Sequence, residues 1–316
     1  MKAIALVNST LASSHLCKWL EAKCEASDVD LIIHVIGSRN REEYTHLFEH
    51  HTHIISGEFG KTARSRSISG KNVLWVSNSL INPASGVFVD GGGYFTESNL
   101  CTKKTWTHKH NADISRVAMG LGWKPFAGGS PQGPVLVTMQ VRDDMALRHF
   151  FPLGKNSGDL SIAFLRILQK YLPRGKQILI RPHPNEVKRS TWKNGDVWRE
   201  DWELDIGGTL AERLPQCSAL VTVNSTCASE AAMLGIPIAT LGLGSFTGSG
   251  ATFECHEAPS RLTNFFNWSP CLDRCVDYVA ALIGRHYLPY DAVEASSEEF
   301  NQWLFQASTA AAAQSA

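Results

Sequence analysis

The chain has 316 residues, with 30 basic against 30 acidic side chains, 43% hydrophobic residues and eight cysteines. This length accommodates two α/β domains of ordinary size, and the balanced charge leaves no broad electrostatic footprint for nucleic acid, which is therefore not an expected partner. No apolar run approaches the roughly eighteen residues of a transmembrane helix and Ala3 to Val7 is too short for a secretory core, so the expected compartment is the cytoplasm.

In chain order, the apolar patterning predicts a strand over Lys2–Asn8, a helix over Ser13–Cys24, a strand over Asp30–Gly37 and a charged helix over Arg41–His50. Strands over Val73–Ser77 and Gly86–Asp90 follow. Gly122 to Pro134 is crowded with glycine and proline and reads as a linker. It divides the chain into an N-terminal domain of residues 1–128 and a C-terminal domain of residues 129–290. The second half alternates again: strand Val135–Val141, helix Gly158–Tyr171, strand Gln177–Arg181, helix Thr209–Leu214, strand Ala219–Val223, helix Ser225–Leu234 and strand Ile236–Leu241.

A helix over Cys271–Arg285 comes next, and residues 291–316 hold a helix over Ala295–Gln306 and an Ala-rich, frayed end. Such alternation implies parallel sheets with right-handed crossovers. The expected fold class is α/β, with two Rossmann-like domains facing a cleft. The cysteines at 17, 24, 101, 217, 227, 255, 271 and 275 form no CxxC pair and no Cys/His ligand spacing. Neither a zinc site nor a disulfide framework is expected, and the metal prediction is none.

Ligand sites in open α/β sheets gather where strands end. Ser225 and Thr226 stand where a strand passes into a helix, so unpaired N–H groups and the positive end of the helix dipole meet there and favour a phosphate. The plainer alternative is that Ser225 only caps the helix. His183, with Arg181 and Glu186 beside it, is expected at the end of a neighbouring parallel strand, close enough to share one anion with Ser225. Asp90 precedes Gly91 and Gly92, a backbone bare enough for close approach to a ligand or for an ordinary Asp-Gly turn.

Gln140 is followed by Asp143 and Asp144 at another strand end, where one carboxylate could cap a helix and the other act as base or nucleophile. Leu241 to Thr252 is glycine-rich but lacks the lysine of a P-loop, and reads as a flexible lip.

Taken together, Phe88-Val-Asp-Gly-Gly-Gly, Gln140-Val-Arg-Asp-Asp144, Arg181-Pro-His-Pro184, Val223-Asn-Ser-Thr226 with Glu230-Ala, and Gly235-Ile-Pro237 resemble the motifs of the bacterial capsule polysaccharide biosynthesis family. Its characterised members are Kdo transferases that use CMP-activated Kdo. The resemblance implies a GT-B-type glycosyltransferase with a nucleotide-sugar donor, no cofactor, and a glycan or glycolipid acceptor; a lipid-linked acceptor would bring it to the membrane surface.

It implies nucleotide contacts from Arg181, His183, Pro184, Asn224, Ser225, Thr226 and Glu230, a nucleophilic role for Asp144 in retaining transfer, and an acceptor-side role for Asp90. The arginine that commonly follows the family's acidic-Gly stretch is missing here. Related motifs occur in two-domain bacterial sialyltransferases, for which Asp90 would be the base of an inverting displacement, and more distantly in UDP-N-acetylglucosamine 2-epimerases. A non-catalytic nucleotide- or glycan-binding protein is the remaining alternative.

Overall fold

A computed structural model describes residues 2–7, 15–26, 30–35, 53–56, 72–78, 80–81, 86–90, 111–142, 144–154, 159–189 and 197–289. The helices expected over 41–50 and 295–306 lie outside these residues, as do Gly91, Gly92, Cys101 and Asp143. The chain forms two compact units, one of residues 1–102 and 285–316, the other Lys103–Gly284.

The first unit holds strands β1 (Lys2–Val7), β2 (Asp30–Val35), β3 (His53–Ser56), β4 (Asn72–Asn78) and β5 (Gly86–Asp90), with helix α1 (His15–Ala26). Its six-stranded sheet is completed by the last strand, β12 (Tyr287–Pro289). The sheet runs β2-β1-β3-β4-β5-β12, and β2, β1, β3 and β4 are parallel. The expectation of a wholly parallel sheet is corrected at β5, which is antiparallel to both β4 and β12. The connection from Asn78 to Gly86 is too short for a crossover, so the chain turns back on itself.

The second unit holds helix α2 (Asn111–Gly120), strands β6 (Val135–Thr138), β7 (Ile178–Arg181), β8 (Trp202–Leu204), β9 (Ala219–Thr222), β10 (Ile238–Thr240) and β11 (Phe253–Glu254), and helices α3 (Met145–Phe150), α4 (Leu160–Tyr171), α5 (Leu210–Arg213), α6 (Cys227–Leu234) and α7 (Leu272–His286). Its strands are all parallel and ordered β8-β7-β6-β9-β10-β11. Counted along the unit this is the 3-2-1-4-5-6 order of dinucleotide-binding folds, which reverses direction between β6 and β9. The central strands are buried at nearly every position because helices cover both faces, hence their unbroken runs Val-Leu-Val-Thr, Ile-Leu-Ile-Arg and Ala-Leu-Val-Thr.

Helix α4 is capped by Asp159, whose carboxylate accepts from Ser161 N and Ile162 N, and it buries Ser161, Phe164, Leu165 and Leu168 on one stripe. Helix α6 ends at Gly235, held at φ +74°, with Ile236 N donating to Ala231 O, a termination that a residue with a Cβ would strain.

The division between the units falls at residue 102/103, not at 128/129. The glycine-rich stretch 122–134 is not a free linker because it is bonded along the second unit. Trp123 Nε1 donates to Ala211 O at 2.8 Å, Phe126 N to Met233 O at 2.8 Å and Gly128 N to Leu234 O at 2.7 Å. Gly129 permits this approach, since a Cβ there would stand 2.0 Å from Cys217 O.

Candidate functional site

Where β6 and β9 diverge, the chain places Met139 to Asp144 on one side and Val223 to Thr226 on the other. The strand register sets Thr138 opposite Thr222, so both segments leave the sheet at the same level. Four hydrogen bonds close a ring between them. Asn224 N donates to Gln140 Oε1 at 3.1 Å, Gln140 Nε2 to Asp144 Oδ2 at 3.3 Å, Ala146 N to Asp144 Oδ1 at 2.8 Å, and Asn224 Nδ2 to Ala146 O at 3.1 Å. Asp144 is therefore both the N-cap of α3 and a carboxylate aimed by Gln140. The sequence left open which aspartate caps the helix; it is Asp144, half-buried.

Asn224 is 2% exposed, and its Nδ2 also donates to Leu243 O at 3.2 Å. That bond fastens the glycine-rich loop, as do Leu243 N to Phe150 O at 2.7 Å and Gly242 N to Val223 O at 2.9 Å. A Cβ on Gly242 would meet Phe150 O at 2.7 Å. The segment read as a flexible lip is thus a pinned crossing over the ends of β9 and β10.

Ser225 Oγ accepts from Cys227 N at 3.3 Å and donates to Cys227 Sγ at 3.1 Å, so it does cap α6. Among the described residues nothing accepts from the backbone N–H of Ser225 or of Thr226, which leaves two donors at the positive end of the helix. Thr226 is exposed and makes no side-chain cap. Glu230 is buried in the first turn of α6. Burial pushes the Cys227 thiol up to about 12, which keeps it protonated and unreactive. Buried hydroxyls brace α6 from behind, with Ser229 Oγ 2.6 Å and Ser245 Oγ 3.1 Å from Tyr278 Oη.

The end of β7 behaves differently. Arg181 turns toward the sheet edge, where Nη1 donates to Asp205 Oδ2 at 2.7 Å and to Gly207 O at 3.0 Å, and Nη2 to Gly208 O at 2.6 Å. Asp205 is buried and also pairs with Arg213 at 3.0 Å. The guanidinium expected to hold a phosphate is engaged in fastening the turn after β8. Sequence reasoning missed Asp205 because the three-residue strand before it carries too little pattern to register.

His183 is half-buried, and its Nδ1 accepts from Asn185 N at 3.2 Å, which leaves the proton on Nε2. Burial holds its pKa below the ordinary imidazole value, against the opposing pull of the Asp144 and Glu186 carboxylates. Pro184 is exposed and opens the short 3-10 turn that buries Glu186 to 6% exposure. Among the described residues no group hydrogen-bonds or pairs with the Glu186 carboxylate.

One expectation about spacing is corrected. β7 and β9 are not neighbours, because β6 lies between them, so His183 and Ser225 leave the sheet two strand spacings apart, roughly 10 Å. They frame the switch point from either side, with the Gln140–Asp144 segment between. Asp90 ends β5 in the first unit, opposite Trp75. Among the described residues no three His, Cys, Asp or Glu side chains converge on a metal site, and no helix is long and apolar enough to cross a membrane.

Residues 124–267, which contain the whole of this switch point, match the family model described as capsule polysaccharide biosynthesis protein. No curated protein sequence matches the chain. Among solved structures, Thermosulfurimonas dismutans KpsC, beta Kdo 2,7 transferase, is similar over 98% of this chain and 99% of that chain, with a TM-score of 0.55 and 14% identity. Its beta Kdo 2,4 transferase is similar over 96% and 98%, with a TM-score of 0.52 and 13% identity. At these identities the likeness is one of fold, and it agrees with two Rossmann-like units of the GT-B class.

Proposed function

We propose that this chain, whose residues 124–267 match the family model described as capsule polysaccharide biosynthesis protein, is a glycosyltransferase of surface-polysaccharide assembly that transfers Kdo from CMP-Kdo to a glycan or glycolipid acceptor. The observation that carries this reading is the hydrogen-bonded ring at the switch point, which sets an aimed carboxylate, Asp144, beside the free N–H groups that open α6. A sugar nucleotide needs that pairing, an anion site for the leaving phosphate and a carboxylate for the carbon it leaves.

In this mechanism the CMP phosphate lies at Ser225 and Thr226, where helix N–H groups stabilise the charge that grows as it departs. His183, neutral and carrying its proton on Nε2, donates a hydrogen bond from the other side. As the anomeric C–O bond breaks and its electron pair leaves with the phosphate, oxocarbenium character develops on the sugar. An Asp144 oxygen then bonds to that carbon. The acceptor hydroxyl displaces it in turn, its proton passing to a base, and the carboxylate is restored with net retention. From the motif resemblance alone, Asp90 is proposed as an acid/base or acceptor-binding residue on the acceptor side.

A thermal-shift screen with CMP, CDP, UMP and UDP tests the donor, since a ligand that binds only the folded form raises its Tm. CMP is expected to stabilise most. A preference for UDP would sink the CMP-Kdo reading. Consumption of CMP-Kdo by the wild type, absent in Asp144→Ala, tests the nucleophile, and the anomeric configuration of the product tests retention.

A further inference from the structure

Gln140 stands at the reversal of strand order, and its side-chain amide faces two elements at once. Oε1 receives the Asn224 N–H and Nε2 donates to Asp144 Oδ2. The orientation of that amide is forced, because a backbone N–H can only donate and so requires the oxygen end. The NH2 end is left for the carboxylate. Asn224 cannot drift, since its own side chain is bound to Ala146 O and Leu243 O. Asp144 is likewise fixed at its other oxygen by the start of α3. Gln140 thus joins two segments that are otherwise far apart in sequence, the one bearing the carboxylate and the one opening the anion site.

We propose that Gln140 is a positioning residue that ties the aim of the Asp144 carboxylate to the turn Asn224–Thr226, so that phosphate occupancy and carboxylate orientation are set together. The assignment rests on the reading of Asp144 as nucleophile and of the turn as phosphate site. The side-chain chemistry at 140 is narrowly constrained. A leucine of similar size would leave the Asn224 N–H unpaired. A glutamate would still accept from Asn224 but would set a second carboxylate against Asp144.

The test uses the full chain and two variants, Gln140→Glu and Gln140→Ala. In the Glu variant, CMP binding and the KM for CMP-Kdo are expected to stay within about threefold of wild type, because the Asn224 bond survives. Its kcat is expected to fall by up to about 100-fold through misplacement of the carboxylate. The acid limb of its kcat profile should move to higher pH, as two facing carboxylates resist shared ionisation. A Glu variant with wild-type kcat and an unchanged pH profile overturns the proposal.

Hydrogen exchange supplies a readout that needs no substrate. The Asn224 amide should exchange slowly in wild type and Gln140→Glu and rapidly in Gln140→Ala. Equally slow exchange in the Ala variant also overturns the bridge. If slow exchange follows this pattern but no CMP-Kdo is consumed by wild type, the donor assignment fails and the bridge stands.

Discussion

The turns after β7 and β9 look alike in the sequence, each a strand end rich in polar groups, yet the structure uses them in opposite ways. At β9 the polar groups converge: Asn224, Gln140 and Asp144 form one ring, and the N–H groups of Ser225 and Thr226 remain open beside it. At β7 they diverge. Arg181 is drawn to the sheet edge by Asp205, while His183, two residues on, faces the electrostatic influence of Asp144. The lesson is that a motif's charge does not by itself make a ligand group; what matters is whether a buried countercharge claims it first.

The largest expected effect tests that claim. Asp205→Ala removes the buried partner of two guanidiniums and should cost about 3 kcal/mol of stability, read as a lower midpoint in denaturant. CMP affinity of the folded variant should hold within about twofold. A tenfold loss of affinity with unchanged stability would return Arg181 to the site and erase the contrast between the turns.

Next comes His183→Ala, expected to weaken CMP binding by about tenfold through loss of one hydrogen bond to a charged group, with little change in Tm. Calorimetry that finds no loss would confine the anion site to α6. Ser225→Ala should cost about fivefold in CMP affinity, the worth of about one hydrogen bond, together with a slight loss of helix capping. If Ser225→Ala affects stability alone, the hydroxyl serves only the helix.

The smallest effect is the pH dependence of His183. Its folded pKa lies below the ordinary value of about 6.5 because of burial. Protons therefore bind the unfolded chain first, and stability should decline as pH falls from about 6.5 toward the lower folded value, then level off. The His183→Asn variant should lack this component in Tm measured against pH. An NMR titration of His183 with a midpoint above 6.5 would contradict the neutral, Nε2-protonated donor.

Much of the second unit was legible in its sequence. Unbroken apolar runs bounded by turn residues marked β6, β7, β9 and β10, and the Gly235-Ile-Pro237 signal ended α6 where expected, because these features depend on local backbone physics. Strands β3, β8, β11 and β12 were not expected. Each spans only two to four residues and is defined by its neighbours more than by its own pattern. Glycine misled twice for one reason. Gly129 and Gly242 are present so that other backbone can approach closely, and composition cannot separate that use from flexibility.

By itself, the sequence determined the α/β class, the residues that end the central strands, and the chemistry gathered there, because burial patterning and capping act over a few neighbouring residues. Only the tertiary structure decided the strand order, and with it which ends meet. It inserted β6 between His183 and Ser225, gave Arg181 to Asp205, and closed the ring through Gln140. Those outcomes depend on side chains tens of residues apart competing for the same partners, a competition that is settled only when the sheet has assembled.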